Sequence, residues 1–296
     1  MSLLSFLRRS SRDPAYPFRK VRWNTWQNQP EREIQIESPL GSFLCSTRDQ
    51  VIGRALYLTR EFAWKDVERA IDLLVKARSL KETDNSLLFD VGANLGTTCI
   101  PLLRNSTFRR ALAFEPEPKN VGFLRRNVTM NQLSGRIEIF PCALSDRAGN
   151  SELLLSDQNF GDHRVNSDVA AHETSDRRRV TIVTRTLDEI CSERKVTPNL
   201  LWLDTQGHEA KVLRGAEVLL RTSSPPLVLE FWPWAVERSG EDVRAFIDRL
   251  AAIYPRFADL RADSSLFRPT RGLAELATRY AGENDYTDLV FPRPER

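Results

Sequence analysis

Three histidines, four cysteines and a formal net charge of +3 are spread over the 296 residues of this chain, and each scarcity removes a class of function. Cys45, Cys99, Cys142 and Cys191 form no C-x-x-C pair, and no Cys/His cluster has the spacing of zinc ligands. Cys99 and Cys142 fall in apolar stretches, where a free thiol behaves as a small hydrophobe. Buried, reduced cysteines of a cytoplasmic protein are therefore expected. No run approaches the roughly 18 consecutive apolar residues of a membrane span. The opening Met-Ser-Leu-Leu-Ser-Phe-Leu-Arg-Arg-Ser places its arginines after its apolar residues, the reverse of a secretory signal, with no small-residue cleavage site. It reads as a frayed or docked terminus, with an amphipathic helix in weak peripheral contact with a membrane as the alternative. The 43 basic and 40 acidic residues are interleaved, so the concentrated basic face that nucleic acid requires is missing. No internal repeat or low-complexity tract is visible.

What is present is enough apolar sequence, 41% of residues, for one large α/β domain with an extension. Residues 1–30 show no clean periodicity and read as an irregular arm. Ile34-Gln-Ile-Glu, a turn at Pro39-Leu-Gly41 and Phe43-Leu-Cys then predict a hairpin. From Val51 to about Leu80 the apolar spacing is helical and fits two helices with a break near Trp64. This 1–80 extension precedes a domain over 81–296. Leu87-Leu-Phe-Asp-Val is a short apolar run of the kind found in buried parallel strands. Ala111–Glu115, Ile137–Phe140, Leu200–Asp204, Leu227–Phe231 and Asp288–Phe291 continue the series, with helices predicted over 97–103, 118–131, 209–220 and 241–253. Residues 149–186 break the rhythm, and the polar stretch 157–179 reads as a lid-like insertion able to cover a site. Alternating strands and helices imply a mostly parallel, Rossmann-like sheet with helices on both faces. Ligands of such sheets bind beyond the carboxyl ends of the strands, so the loops after Asp90, Glu115, Phe140, Asp204 and Glu230 should share one rim.

The strongest motif on that rim is Phe-Asp-Val-Gly-Ala-Asn-Leu-Gly, residues 89–96. A strand ends at Asp90, the chain turns through Gly92, and Gly96 opens a helix; glycine lets the main chain approach a ligand closely. A dinucleotide loop would carry G-x-G-x-x-G here. This one has G-x-x-x-G behind an acidic residue, which argues against a pyrophosphate and for a ligand with a cationic part. The amino group and sulfonium of S-adenosylmethionine answer that description. The expected contacts are Asp90, Gly92, Ala93, Asn94 and Gly96. Glu115, at the end of the next strand and followed by Pro116, is positioned to accept both hydroxyls of a ribose. Cys142 and Ala143 are small enough to admit a flat adenine, with Asp146 as a further polar contact.

These segments, together with Ala-Leu-Ser-Asp (143–146), Arg-Thr-Leu-Asp (185–188), Trp-Leu-Asp-Thr-Gln-Gly-His-Glu (202–209), Val-Leu-Arg-Gly-Ala (212–216) and Leu-Glu-Phe (229–231), resemble the FkbM family of methyltransferases over about residues 35–292. The resemblance implies a seven-stranded fold, S-adenosylmethionine as methyl donor, and O-methylation of a sugar, glycan or natural-product hydroxyl. One position departs from it. The family commonly has Asp-x-Glu-Gly-x-Glu where this chain has Asp204-Thr-Gln206-Gly-His-Glu209, and an amide positions by hydrogen bonds but cannot act as a base.

Methyl transfer from a sulfonium is a direct displacement that needs alignment, exclusion of water and, for an alcohol, a proton acceptor. His163, His208 and Asp204 are the catalytic candidates. His172, in a charged stretch, is expected to be solvated. Arg164, Gln206, Glu230 and Trp232 are the candidates for holding the acceptor, with Phe231-Trp-Pro-Trp234 supplying aromatic surface. Asp204 and Glu230 lack the Asp-Asn pair that would complete a hard-cation site, so no metal is expected. Two other readings compete. A non-catalytic nucleotide-binding protein would keep Asp90, Gly92 and Glu115 without a reactive group. An oxidoreductase would need the third glycine of a dinucleotide loop, which Leu95-Gly96-Thr97-Thr98 does not provide.

Overall fold

The computed structural model describes residues 13–80, 86–166, 177–262 and 266–294; His172 lies outside them. The described chain enters through a helix, Tyr16–Gln27 (α1), where the irregular composition suggested an arm. Only Tyr16 and Trp23 of this helix are buried, while Phe18 and Val21 stand exposed, so no apolar stripe marks it in the sequence. The predicted hairpin follows as Glu33–Ser38 (β1) and Gly41–Ser46 (β2). Ile52–Thr59 (α2) and Trp64–Lys76 (α3) are separated where Arg60 and Ala63 adopt left-handed backbone angles, φ 64° and 50°.

Next come Leu87–Val91 (β3), Cys99–Arg104 (α4), Arg110–Phe114 (β4), Pro118–Met130 (α5) and Ile137–Phe140 (β5). A smaller sheet interrupts the series: Ala143–Leu144 (β6), Gly149–Leu154 (β7), Arg164–Val165 (β8) and Arg179–Arg185 (β9), in the order β6-β9-β7-β8. The rhythm resumes with Leu187–Arg194 (α6), Leu200–Leu203 (β10), Glu209–Arg214 (α7), Glu217–Thr222 (α8) and Leu227–Phe231 (β11). Pro233–Arg238 (α9), Val243–Ile253 (α10), Arg256–Asp259 (β12), Arg268–Pro269 (β13), Leu273–Arg279 (α11) and Thr287–Phe291 (β14) complete it. A single helix is expected over 209–220. It splits into α7 and α8 because Gly215 packs so closely on the loop after β6 that a Cβ there would stand 2.0 Å from the Ser145 carbonyl oxygen.

Among the described residues the large sheet runs β13-β12-β14-β11-β10-β3-β4-β5. The five strands from β11 to β5 are parallel; β14 runs against them, β12 pairs antiparallel with β14 and β13 with β12, so β12 runs with the five. Six of these lie where strands were expected, β12 brings the number to the seven that the resemblance implies, and the two-residue β13 adds an eighth at the edge. The chain leaves β3 toward β4 and β5, then returns to β10 on the other side, so the strand order reverses between β3 and β10. Alternation along each strand splits the core into two layers. Leu87, Phe89 and Val91 of β3 and Leu201 and Leu203 of β10 pack with the helices that follow β9 and β10. Leu88, Leu200 and Trp202 face the opposite layer, built with the hairpin and α2–α5. The hairpin is tied in by Asn127 and Asn131 of α5, whose amide oxygens accept the Leu44 and Ser42 N–H groups at 2.6 and 3.0 Å.

Candidate active site at the strand-order reversal

The loop after β3 turns through Gly92, Asn94 and Gly96, with φ of 86°, 48° and 87°, before α4 begins at Cys99. Gly92 is irreplaceable by geometry: a Cβ would stand 1.8 Å from the Asp204 carbonyl oxygen, so the loops after β3 and β10 meet backbone to backbone. The Asp90 carboxylate accepts the Cys99 N–H at 3.1 Å and so fixes the loop's exit into α4. Burial raises the Asp90 pKa to about 6. Asp90, Gly92 and Asn94 line a cavity at the carboxyl ends of the strands, together with Glu115, Pro116, Cys142 and Ala143. Ala93 and Gly96 shape the loop from behind. Ala93 belongs to the core under the hairpin, and a Cβ at Gly96 would stand 2.7 Å from Ile100.

Glu115 is 4% exposed. One carboxylate oxygen accepts the Glu117 N–H and the other the Asn94 N–H, both at 2.9 Å. Burial pushes its pKa to about 7 against the pull of those two donors. Asn94 and Asn120 both donate through Nδ2 to the Phe160 carbonyl, at 2.7 and 3.0 Å. Their Oδ1 atoms, both buried, have no hydrogen-bond partner among the described residues. Asn120 was not among the expected site residues, although its place one turn into the helix after Glu115-Pro-Glu-Pro offered a clue. Phe160 contributes through its backbone, which no residue type encodes. With Gly161, His163 and Val165 it lines the cavity; residues 167–176 of the expected 157–179 insertion lie outside the described residues.

All three expected catalytic residues line this cavity. His163 Nδ1 accepts the Ser156 N–H at 3.0 Å, which puts the proton of the neutral ring on Nε2, and burial lowers its pKa to about 4. His208 is 4% exposed, with Nε2 3.0 Å from Ser145 Oγ, and burial lowers its pKa to about 3. Asp204 opens the loop after β10, is exposed, and lines the cavity. Its Oδ1 accepts from Gln206 Nε2 at 2.8 Å, and the same amide nitrogen lies 3.0 Å from Glu230 Oε2. Desolvation raises the pKa of Asp204, and of Glu230 well above the ordinary carboxyl range; Gln206 opposes the rise in both. Glu209 clamps the same loop by accepting from the Thr205 N–H and hydroxyl, at 2.7 and 2.8 Å.

A wider cleft of about 1250 Å³ adjoins the cavity and is bounded by Arg164, Glu230, Trp232, Trp234 and Tyr286. Trp232 and Trp234 stack with centroids 5.6 Å apart and planes 23° apart, and the Arg164 guanidinium lies over both rings at 4.9 and 5.5 Å. Asp162 holds Arg164 in that position at 2.6 Å. Asp204 and Gln206 border cavity and cleft alike, whereas His163 and His208 border the cavity only. Among the described residues no three His, Cys, Asp or Glu side chains are placed to hold a metal ion, and no helix is long and apolar enough to cross a membrane.

The model of the methyltransferase FkbM domain matches residues 90–254, over half of the chain. The chain belongs to the FkbM methyltransferase family. This FkbM methyltransferase is similar to the 2-O-methyltransferase NoeI of Sinorhizobium fredii, 26% identical over 194 residues that cover 60% of this chain and 78% of that protein. It is also similar to the hexuronic acid methyltransferase AglP of Haloferax volcanii, 31% identical over 134 residues, 45% of this chain and 50% of that protein. A solved FkbM methyltransferase structure from Methylobacillus flagellatus aligns with a TM-score of 0.46 at 18% identity, over 80% of this chain and 52% of that one. The matched span opens at Asp90 and takes in the loops after β3, β4, β5, β10 and β11, so the family signature of this FkbM protein coincides with the rim that encloses the cavity.

Proposed function

We propose that this methyltransferase uses S-adenosylmethionine to methylate a hydroxyl of a sugar or glycan, and that Asp204 accepts the hydroxyl's proton. The observation that carries the cofactor is an excess of acceptors. Glu115, Asn94 and Asn120 line one cavity, and the amide oxygens of the two asparagines are buried without a partner, which favours a ligand that brings several donors and positive character. A ribose diol, an ammonium and a sulfonium bring both. Glu115 would hold the diol, the Gly92–Asn94 turn the amino-acid end, and Cys142 and Ala143 the base. When bound, S-adenosylmethionine supplies an electrophilic methyl group.

The residues of this chain do the rest. Phe160 and His163 cover the cavity and keep water from the reacting end. Of the three catalytic candidates, Asp204 alone borders both the cavity and the cleft, which is where an incoming hydroxyl meets the methyl group. A raised pKa makes its carboxylate a stronger base, and the Gln206 hydrogen bond works against that rise by favouring the charged form. His163, with its Nδ1 lone pair already used, serves as a donor. The name of the relative NoeI supports O-methylation and that of AglP a sugar-acid acceptor, and the Trp232–Trp234 wall with Arg164 supports a flat, polar ring in the cleft. We place the reaction in the cytoplasm, as four free cysteines favour, and keep residues 1–80 as an extension of the 81–296 catalytic domain.

Purified protein incubated with methyl-labelled S-adenosylmethionine and a panel of glycosides should transfer label to at least one sugar hydroxyl. Tight binding of the donor with no acceptor in the panel or in extracts would turn the reading toward a non-catalytic binding protein.

A further inference from the structure

His208 offers one more unsatisfied acceptor. Its Nδ1 is buried and has no hydrogen-bond partner among the described residues. The bonds around the ring decide which nitrogen carries the proton. Asp146 is an acceptor only, held by Arg214 at 3.1 Å, and the Ser145 hydroxyl lies 3.1 Å from its free-side oxygen Oδ1. Ser145 therefore donates to Asp146 and accepts from His208, which puts the hydrogen on Nε2 and leaves Nδ1 bare. Arg214 is clamped in turn by Glu241, and the contact between Gly215 and the Ser145 carbonyl locks α7 to the loop after β6. Ring, hydroxyl, carboxylate and helix form one unit.

The place of His208 in the cavity wall gives this buried atom its meaning. The methyl group belongs where cavity and cleft meet, at Asp204, and the ribose belongs at Glu115. His208 borders the cavity away from the cleft and is bonded to the residue that follows Cys142, Ala143 and Leu144 on the same wall. A base attached to the ribose is directed there. We infer that His208 Nδ1 accepts the exocyclic amine of the adenine base and makes the site selective for an amino-purine over an oxo-purine cofactor. The inference rests on the S-adenosylmethionine reading given above. The neutral state of the ring, with its pKa lowered to about 3 by burial, agrees with it.

Calorimetric titration of the full chain with S-adenosylhomocysteine and with S-inosylhomocysteine tests it. The inosyl ligand presents a carbonyl oxygen where the amine should be, so two acceptors would face each other in a dry site. It should bind at least about tenfold more weakly. His208→Phe should bring the two affinities to within about twofold. Should that variant fail to fold, nitrogen-15 NMR of the wild type keeps the test open, because the chain has three histidines to resolve. The Nδ1 signal of His208 should be unprotonated in the free protein and shift with the adenosyl ligand only. Equal affinities in the wild type, an unchanged ratio in His208→Phe, or a preference for the inosyl ligand would each overturn the inference while leaving the cofactor reading intact. Failure of both nucleosides to bind would overturn the two together.

Discussion

Binding of S-adenosylhomocysteine should expel a proton from Glu115, and the affinity should rise with pH accordingly. The Glu115 pKa stands at about 7 because the carboxyl is buried, so near neutrality about half of the free protein carries the acid form. A protonated carboxyl has one oxygen committed as a donor and cannot accept two ribose hydroxyls while also accepting the Asn94 and Glu117 N–H groups. The ligand must therefore select the ionised form. Linkage then gives an apparent Kd about 11-fold weaker at pH 6 than the limiting value at high pH, about 1.4 kcal/mol per unit below the pKa. Calorimetry in buffers of different ionisation enthalpy should detect about 0.9 proton released per ligand at pH 6 and about 0.1 at pH 8. Asp90, Glu209 and Asp288 also have raised pKa values, so the signal must be assigned. Glu115→Gln does this. It should lose about 1.5–3 kcal/mol of affinity at pH 8, the cost of a hydrogen bond to a charged acceptor, and its remaining affinity should lose the pH dependence. A wild-type Kd that stays flat between about pH 5.5 and 8, or a Gln variant that binds as well as the wild type, would refute the assignment of the diol to this carboxylate.

Other expectations follow from the same geometry. Asp204→Asn should lower kcat by about 10²–10⁴-fold with little change in S-adenosylhomocysteine affinity, and a loss confined to KM would remove Asp204 as the base. Gly92→Ala should cost more than about 2 kcal/mol in denaturant unfolding and abolish cofactor binding, since φ is 86° and the new Cβ would collide with the Asp204 carbonyl oxygen. Trp232→Ala should raise the acceptor KM roughly tenfold while leaving cofactor affinity unchanged, because it removes both a stacking surface and the seat of Arg164; equal effects on both ligands would misplace the cleft. The unliganded protein should melt at a progressively lower temperature from about pH 5 to about pH 8. Buried carboxyls with raised pKa, Asp90 at about 6, Glu115 and Glu209 at about 7 and Asp288 at about 8, bind their protons more tightly when folded, so the stability they give is lost between the ordinary carboxyl range and those values. Buried His163 and His208, with lowered pKa, resist protonation when folded and act in the opposite sense below about 6.5, but the raised carboxyls outnumber them. A melting temperature that rises between about pH 6.5 and 8 would contradict this balance.

The parts of this fold that could be read in the sequence are those whose cause is local. β3, β10 and β11 lie where short apolar runs placed them, because a strand buried on both faces has few polar residues to interrupt it. The rim of the cavity was legible for a related reason: Gly92 and Glu115 are constrained by backbone angle and by strand-end position, and both constraints act through residue type. What escaped the reading acts over distance. α1 is helical with two buried side chains in twelve residues, and α11 and β12 pack at the sheet's edge without a periodic signal of their own. The single helix expected over 209–220 breaks at a glycine whose reason lies seventy residues earlier, in the Ser145 carbonyl oxygen. The same distance hides the division of labour in the site. His163, His208 and Asp204 are equivalent candidates as letters. They separate once Ser156 takes the lone pair of the first, Ser145 and Asp146 set the tautomer of the second, and the third is found where cavity and cleft meet. Gln206 shows the limit most clearly. In sequence it looks like the loss of a base. In the fold its amide nitrogen lies between Asp204 and Glu230, where a carboxylate would have repelled Asp204; the amide donates to Asp204 instead and favours its charged form.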